Sequence, residues 1–117
     1  MFDKRYTEGD AWHYRFNVPH DAQELIKSFN STEEFIQQLT KFFADSFNWK
    51  LKNFMPNPYY WAGNEEDLYA VNMFVWAGRP QLAQLYFRKI LETKYATACL
   101  PLGIPGNDDY GALSTWA

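Results

Sequence analysis

Ser31-Thr-Glu-Glu-Phe-Ile-Gln-Gln-Leu-Thr-Lys-Phe-Phe43 carries the clearest periodic signal in the chain. Ser31 followed three residues later by Glu34 is a capping-box pattern, which satisfies backbone N–H groups that an opening helix leaves without partners. Phe35, Ile36, Leu39, Phe42 and Phe43 then recur at steps of three and four, placing them on one helical face. Just upstream, Asp21-Ala-Gln-Glu24 repeats the capping pattern, and Leu25, Ile26 and Phe29 form the stripe of a shorter helix. With Asn30 and Ser31 as the break, the segment predicts a helical hairpin that serves as scaffold.

Towards the N-terminus lies Tyr6-Thr-Glu-Gly-Asp-Ala-Trp-His-Tyr-Arg-Phe16, in which Thr7 and Asp10 suit helix caps. Trp12, Tyr14 and Phe16 step nearer to two than to 3.6, so helix and strand both fit locally. Val18-Pro19 ends the segment, because proline disfavours helix in the residue before it. On the other side, Asn53, Pro56, Asn57, Pro58 and Gly63 punctuate an aromatic connection. Tyr59, Tyr60 and Trp61 in succession cannot all face a core from one loop. They are expected either at a site or packed over helix ends.

Asn64-Glu-Glu-Asp67 opens a further helix, its acids lying where the helix dipole favours negative charge. Tyr69, Val71, Met73, Phe74 and Trp76 make that helix apolar nearly all round, the pattern of a buried inner element. Gly78 stops it and Pro80 starts the next, at the first-turn position where a missing N–H costs nothing. Leu82, Leu85, Tyr86, Ile90 and Tyr95 predict an amphipathic helix of about four turns, with Lys89 and Lys94 towards its C-terminal end. A loop with Pro101, Pro105 and three glycines then leads to Ala112, Leu113 and Trp116 at helical spacing. Nothing reads clearly as a sheet, and the expected fold class is all-α, in layered helix pairs.

Composition narrows the function. The 117 residues suit one ordinary domain, and a net charge of -3 with scattered basic residues argues against a nucleic-acid face. No apolar run reaches the roughly 18–20 residues of a membrane span. Cys99 is the only cysteine, which excludes an internal disulfide and a thiolate zinc site. His13 and His20 do not form the i, i+4 pair of a helical zinc site. Aromatic residues make up 20% of the chain, which fits either a core of large side chains or a sugar site with stacking rings.

Acids cluster at three helix mouths: Glu8 with Asp10, Glu65 with Glu66 and Asp67, and Asp108 with Asp109. Glycosidases need one carboxylic acid to protonate the leaving oxygen and one carboxylate to activate water or attack. Helix-capping acids look the same in sequence, so the clusters alone leave both readings open.

Four stretches in order resemble the motifs of the family 92 glycoside hydrolases: Tyr6-Thr-Glu-Gly-Asp-Ala-Trp-His-Tyr-Arg15, Tyr60-Trp-Ala-Gly-Asn-Glu65, Ala77-Gly-Arg-Pro80 and Gly103-Ile-Pro-Gly-Asn-Asp-Asp-Tyr-Gly-Ala-Leu-Ser114. The resemblance covers essentially the whole chain. It implies an inverting, calcium-dependent exo-α-mannosidase acting on N-glycans or mannan, with an (α/α)6-barrel catalytic domain. It implies Glu8 as general acid, Asp108 or Asp109 as general base, and Asn64, Glu65 and Asn107 around calcium. Trp12, His13, Tyr59 and Trp61 are the candidate sugar contacts.

The sequence also departs from the family pattern. Asp10 replaces the usual Asn and His13 the usual Gln, and Asp10 is expected either to raise the pKa of Glu8 or to bond elsewhere. Glu66 stands where the family has Pro, and Tyr69-Ala-Val71 replaces a His-x-Pro pattern. Pro58-Tyr59 occupies the place where α-1,2-selective members carry His-Glu, so that linkage is not supported. Family members are several times longer. Residues 1–117 are therefore expected to be one C-terminal-side segment of the catalytic domain, cut at both ends and inactive alone. The expected partners are a mannose-containing glycan, the rest of the barrel and the N-terminal domain, with no nucleic acid and no membrane span. The resemblance further implies a secreted, periplasmic or cell-surface parent. The alternative is a non-catalytic helical module for carbohydrate binding or protein interaction.

Overall fold

The backbone N–H of Glu34 donates to Ser31 Oγ at 3.1 Å, and the helix that this cap opens, Thr32–Asn48, is the longest in the molecule's described part. The computed structural model describes residues 4–49, 58–95 and Pro105. In order the helices are α1 (Ala11–Arg15), α2 (Ala22–Lys27), α3 (Thr32–Asn48), α4 (Glu65–Leu68), α5 (Met73–Trp76) and α6 (Pro80–Lys94), with a 3₁₀ turn at Ala70–Asn72. Every regular element among the described residues is helical.

Phe35, Ile36, Leu39, Phe42 and Phe43 of α3 are all buried, as their spacing requires. The other elements supply rings to that face. Phe16 meets Phe35 and Phe42 with centroids at 5.8 and 5.2 Å, while Phe74 and Tyr86 reach Phe43 at 5.8 and 5.1 Å. Tyr60 joins them at 4.8 Å from Phe43. The aromatic richness therefore goes largely into the core, where offset and edge-to-face ring contacts add to area burial.

Asp10 resolves the ambiguity of the first segment. Its Oδ1 accepts from the N–H groups of Trp12 at 2.8 Å and His13 at 3.3 Å, so the segment opens as helix. Asp21 caps α2 in the same way through the Glu24 N–H at 3.1 Å.

Residues 65–76 depart from the continuous helix expected there. The segment breaks into α4, the 3₁₀ turn and α5, and Val75 and Trp76 at its end are about half exposed (51% and 49%). A 3₁₀ turn advances three residues per turn instead of 3.6. It therefore rotates the following residues out of the register in which one apolar cylinder would be buried. Trp76 Nε1 instead donates to the Tyr69 hydroxyl at 2.8 Å.

Gly78, at φ +73°, ends α5. Arg79 N–H donates to Phe74 O at 2.8 Å and Gly78 N–H to Val75 O at 3.0 Å, the paired bonds of a Schellman stop that needs a left-handed residue. Pro80 then starts α6. The buried stripe of α6 is Ala83, Ile90 and Lys94, whereas Leu85 is 57% exposed, so Leu85 lies off the face that its hydropathy suggested. Lys94 is also placed differently from a solvated C-terminal lysine. It is buried, and its ammonium donates to Ser46 O at 3.3 Å in the last turn of α3, where the helix dipole is negative. Burial lowers its pKa.

Candidate functional site

α1 packs against α4, and between them the turn carrying Glu8 meets the turn carrying Asn64. Asn64 starts α4 but makes no side-chain cap for it. Its Nδ2 instead donates to Glu8 Oε2 at 3.2 Å, across a sequence separation of 56 residues. Asn64 is buried and Glu8 exposed, so the contact holds an accessible carboxylate against a fixed amide. Glu8 has φ +52°, a left-handed conformation that is uncommon for any residue with a Cβ and costs on the order of 1–2 kcal/mol.

Tyr14 ties the same two turns together from the side. Its hydroxyl donates to Thr7 O at 2.7 Å and to Glu66 Oε1 at 2.8 Å, sharing one proton between the Glu8 turn and α4. The phenol's pKa is pushed up to about 12, first by desolvation and then by its bond to Glu66 and that residue's charge, with Glu65 and Glu8 adding. The folded value lies above the unfolded value of about 10. The folded chain therefore keeps a proton that the unfolded chain releases, and this stability is complete below pH 10 and lost as pH rises towards 12. Accordingly, the urea midpoint of wild type should fall more steeply over that window than the midpoint of Tyr14→Phe.

Asp10 and His13 lie one turn on. His13 is buried, and its Nδ1 accepts the Asp10 N–H at 2.9 Å, closing the reciprocal capping box of α1. Of the two outcomes open to Asp10, the structure shows the second: its carboxylate bonds elsewhere, to the start of its own helix. His13 Nε2 faces Asp67 Oδ2 at 3.9 Å, too far for a hydrogen bond.

Asp67 is 1% exposed. Its Oδ2 accepts the Trp61 N–H at 2.7 Å, and its Oδ1 has no hydrogen-bond partner among the described residues. Burial drives this carboxyl well above the usual range, opposed by the Trp61 amide and reinforced by the charges of Glu66 and Asp10. The upward direction follows because burial penalises the charged form more than the neutral one.

The aromatic candidates divide by environment. Trp12 is half-buried, 6.4 Å from Phe42 and 5.8 Å from Tyr59 between centroids, with the Arg15 guanidinium over it at 5.1 Å. Those rings pack against one another. Tyr60 is buried in the core, and Ser46 Oγ donates to its carbonyl at 2.6 Å, fixing the aromatic segment to α3. Trp61 lies over Gly63 so closely that a Cβ added there would fall 2.4 Å from Cε2 of the indole. Gly63→Ala must displace the ring, at an expected cost of roughly 1–3 kcal/mol. Thermal melts together with a change in tryptophan fluorescence would read the effect.

Asp108, Asp109 and Asn107 lie outside the described residues. The structure thus brings together Glu8 and Asn64, with Glu65 exposed beside them at the first position of α4. The sequence named Glu66 and Asp67 with Glu65 as helix-mouth acids without assigning them a part in the site, and it missed Tyr14. A signal was present: three consecutive acids at about 100° per residue cannot all face solvent where a helix start is packed on another helix.

Two motifs far apart in the sequence thus meet at one polar seam through Glu8 and Asn64, 56 residues apart. Residues 2–117 match the glycosyl hydrolase family 92 catalytic domain. The chain belongs to that family. It is similar, at 28% identity over 109 residues, to an uncharacterized secreted glycosidase of Arthroderma benhamiae, spanning 93% of this chain but 12% of that protein. It also superimposes on a family 92 α-mannosidase from Bacteroides thetaiotaomicron, solved in complex with mannoimidazole. The TM-score is 0.73 at 26% identity, covering 94% of this chain and 15% of that one. As a family 92 segment, the chain therefore spans well under a fifth of the length of either relative. No helix among the described residues is long and apolar enough to cross a membrane.

Calcium takes roughly six to eight oxygen ligands. Asn64 and Glu65 offer oxygen donors of that kind, so the donor chemistry fits. No group of three or more acidic, histidine or cysteine side chains gathers for a metal among the described residues.

Proposed function

We propose that this chain is the part of an inverting exo-α-mannosidase that carries its general acid, within a partial (α/α)6 barrel, and that it acts on terminal α-linked mannose of N-glycans or mannan. The observation that carries the reading is the 3.2 Å bond between Asn64 and Glu8, which joins two family motifs in one place and leaves the carboxyl accessible. The fully helical described structure and the 26% identical family 92 α-mannosidase support it.

In this mechanism Glu8 gives its proton to the glycosidic oxygen as the bond to the anomeric carbon breaks. Asp108 or Asp109 takes a proton from the water that attacks the opposite face, so the configuration inverts. Trp12, His13, Tyr59 and Trp61 shape the sugar-facing wall, His13 by holding the start of α1. Asn64, Glu65 and Asn107 would hold calcium, which would coordinate sugar hydroxyls and help hold the ring in a distorted shape. The parent protein is exported, in keeping with the secreted relative.

The test grafts residues 2–117 in place of the matching segment of a family 92 α-mannosidase and assays an α-linked mannobiose. The expected result is hydrolysis with β-mannose as the first-formed anomer by proton NMR, abolished by chelator and restored by calcium. A correctly folded graft that binds mannose without turning it over would overturn the enzyme reading in favour of a binding module.

A further inference from the structure

We propose that Tyr14 and Glu66 form a positioning clamp that sets Glu8 against Asn64, an inference that rests on the reading of Glu8 as the general acid. Glu8 sits in a short turn, exposed and in a left-handed conformation. Its one described polar partner, the Asn64 amide, belongs to a different element. The relative placement of the two turns therefore decides whether the carboxyl points at a fixed place.

Tyr14 supplies that placement. Its hydroxyl grips the carbonyl of Thr7, the residue directly before Glu8, and Oε1 of Glu66, two residues after Asn64. Two neighbours brace the ring. Tyr6 stacks on it at 5.4 Å, and Gly9, directly after Glu8, passes so near that a Cβ there would lie 3.0 Å from Tyr14 Cε2. Glu66 is itself buried, at 7% exposure, which makes the bond to a charged acceptor a constrained one.

The experiment follows the Asn64 side-chain amide by ¹⁵N-resolved NMR in the full chain, with Glu8→Ala marking the signal of the broken bond. Tyr14→Phe, which keeps the ring and loses the hydroxyl, is expected to move the Asn64 resonances most of the way to that position. Glu66→Leu should do the same. Glu66→Gln keeps an acceptor for the phenol and should hold them near wild type, a rescue that loss of general stability would not produce. Asn64 signals that stay at the wild-type position in Tyr14→Phe would overturn the clamp, as would equal shifts in Glu66→Gln and Glu66→Leu. This readout needs no turnover, so it separates the clamp from the mannosidase reading. Failure of the graft assay with a moved Asn64 signal removes the catalytic role and leaves the clamp, whereas an unmoved signal in an active graft removes the clamp alone.

Discussion

Replacing Phe43 by alanine is expected to cost about 3–5 kcal/mol of folding stability, the range for deleting a buried phenylalanine ring. Phe43 is fully buried on α3 and sits where the structure's separate parts meet. Phe42 lies beside it at 5.6 Å, Tyr60 of the aromatic segment at 4.8 Å, Phe74 of α5 at 5.8 Å and Tyr86 of α6 at 5.1 Å. Tyr60, Phe74 and Tyr86 come from points in the sequence distant from Phe43. Removing the ring therefore leaves a cavity bounded by three elements that cannot all close on it together, because Phe74 and Tyr86 also stack on each other at 5.2 Å. A domain of ordinary stability has only about 5–15 kcal/mol in total. Urea unfolding followed by circular dichroism should show a large drop in midpoint, or no cooperative transition at all. A loss below 1 kcal/mol would mean that α3 does not organise the core.

The second large effect concerns the proposed general acid. Glu8→Gln in the grafted enzyme is expected to lower kcat/KM on mannobiose by roughly 10²–10⁴-fold, the usual contribution of a positioned proton donor. Glutamine keeps the shape and can still accept the Asn64 N–H, so the fold and the 3.2 Å contact should survive. It cannot deliver a proton to the departing oxygen. An aryl α-mannoside with a good leaving group needs less of that help, and its rate should fall much less. The ratio of the two rates is the diagnostic. Undiminished hydrolysis of mannobiose by the variant would remove Glu8 from the role of acid.

Much of the scaffold was legible before any coordinates. The caps Asp21 and Ser31, the apolar spacing through Phe43, the Gly78 stop and the Pro80 start are local features, each decided by residues within one or two turns. They appear in the structure where the sequence placed them. Asp10 was equally local, but its evidence lay in a cap bond rather than in periodicity, which is why α1 read as either helix or strand. The site motifs were legible through family resemblance, which names residue types without saying what each one touches. Elsewhere the local signal misled: residues 65–76 carry helical spacing throughout yet contain a 3₁₀ step, and Leu85 has the hydropathy of a core residue yet faces out.

By itself, then, the sequence determined that the chain is helical, where several helices start and stop, and which family its four motifs belong to, because these depend on short-range backbone bonding and on residue identity. Only the tertiary structure decided that Lys94 is buried against the end of α3, that Asp67 is buried with one oxygen lacking a hydrogen-bond partner among the described residues, and that Tyr14 links the Glu8 turn to Glu66. The first and last of those outcomes rest on contacts between residues some fifty positions apart. Hydropathy and spacing cannot report them, since a charged or polar side chain is written the same way whether it meets water or a partner from another helix.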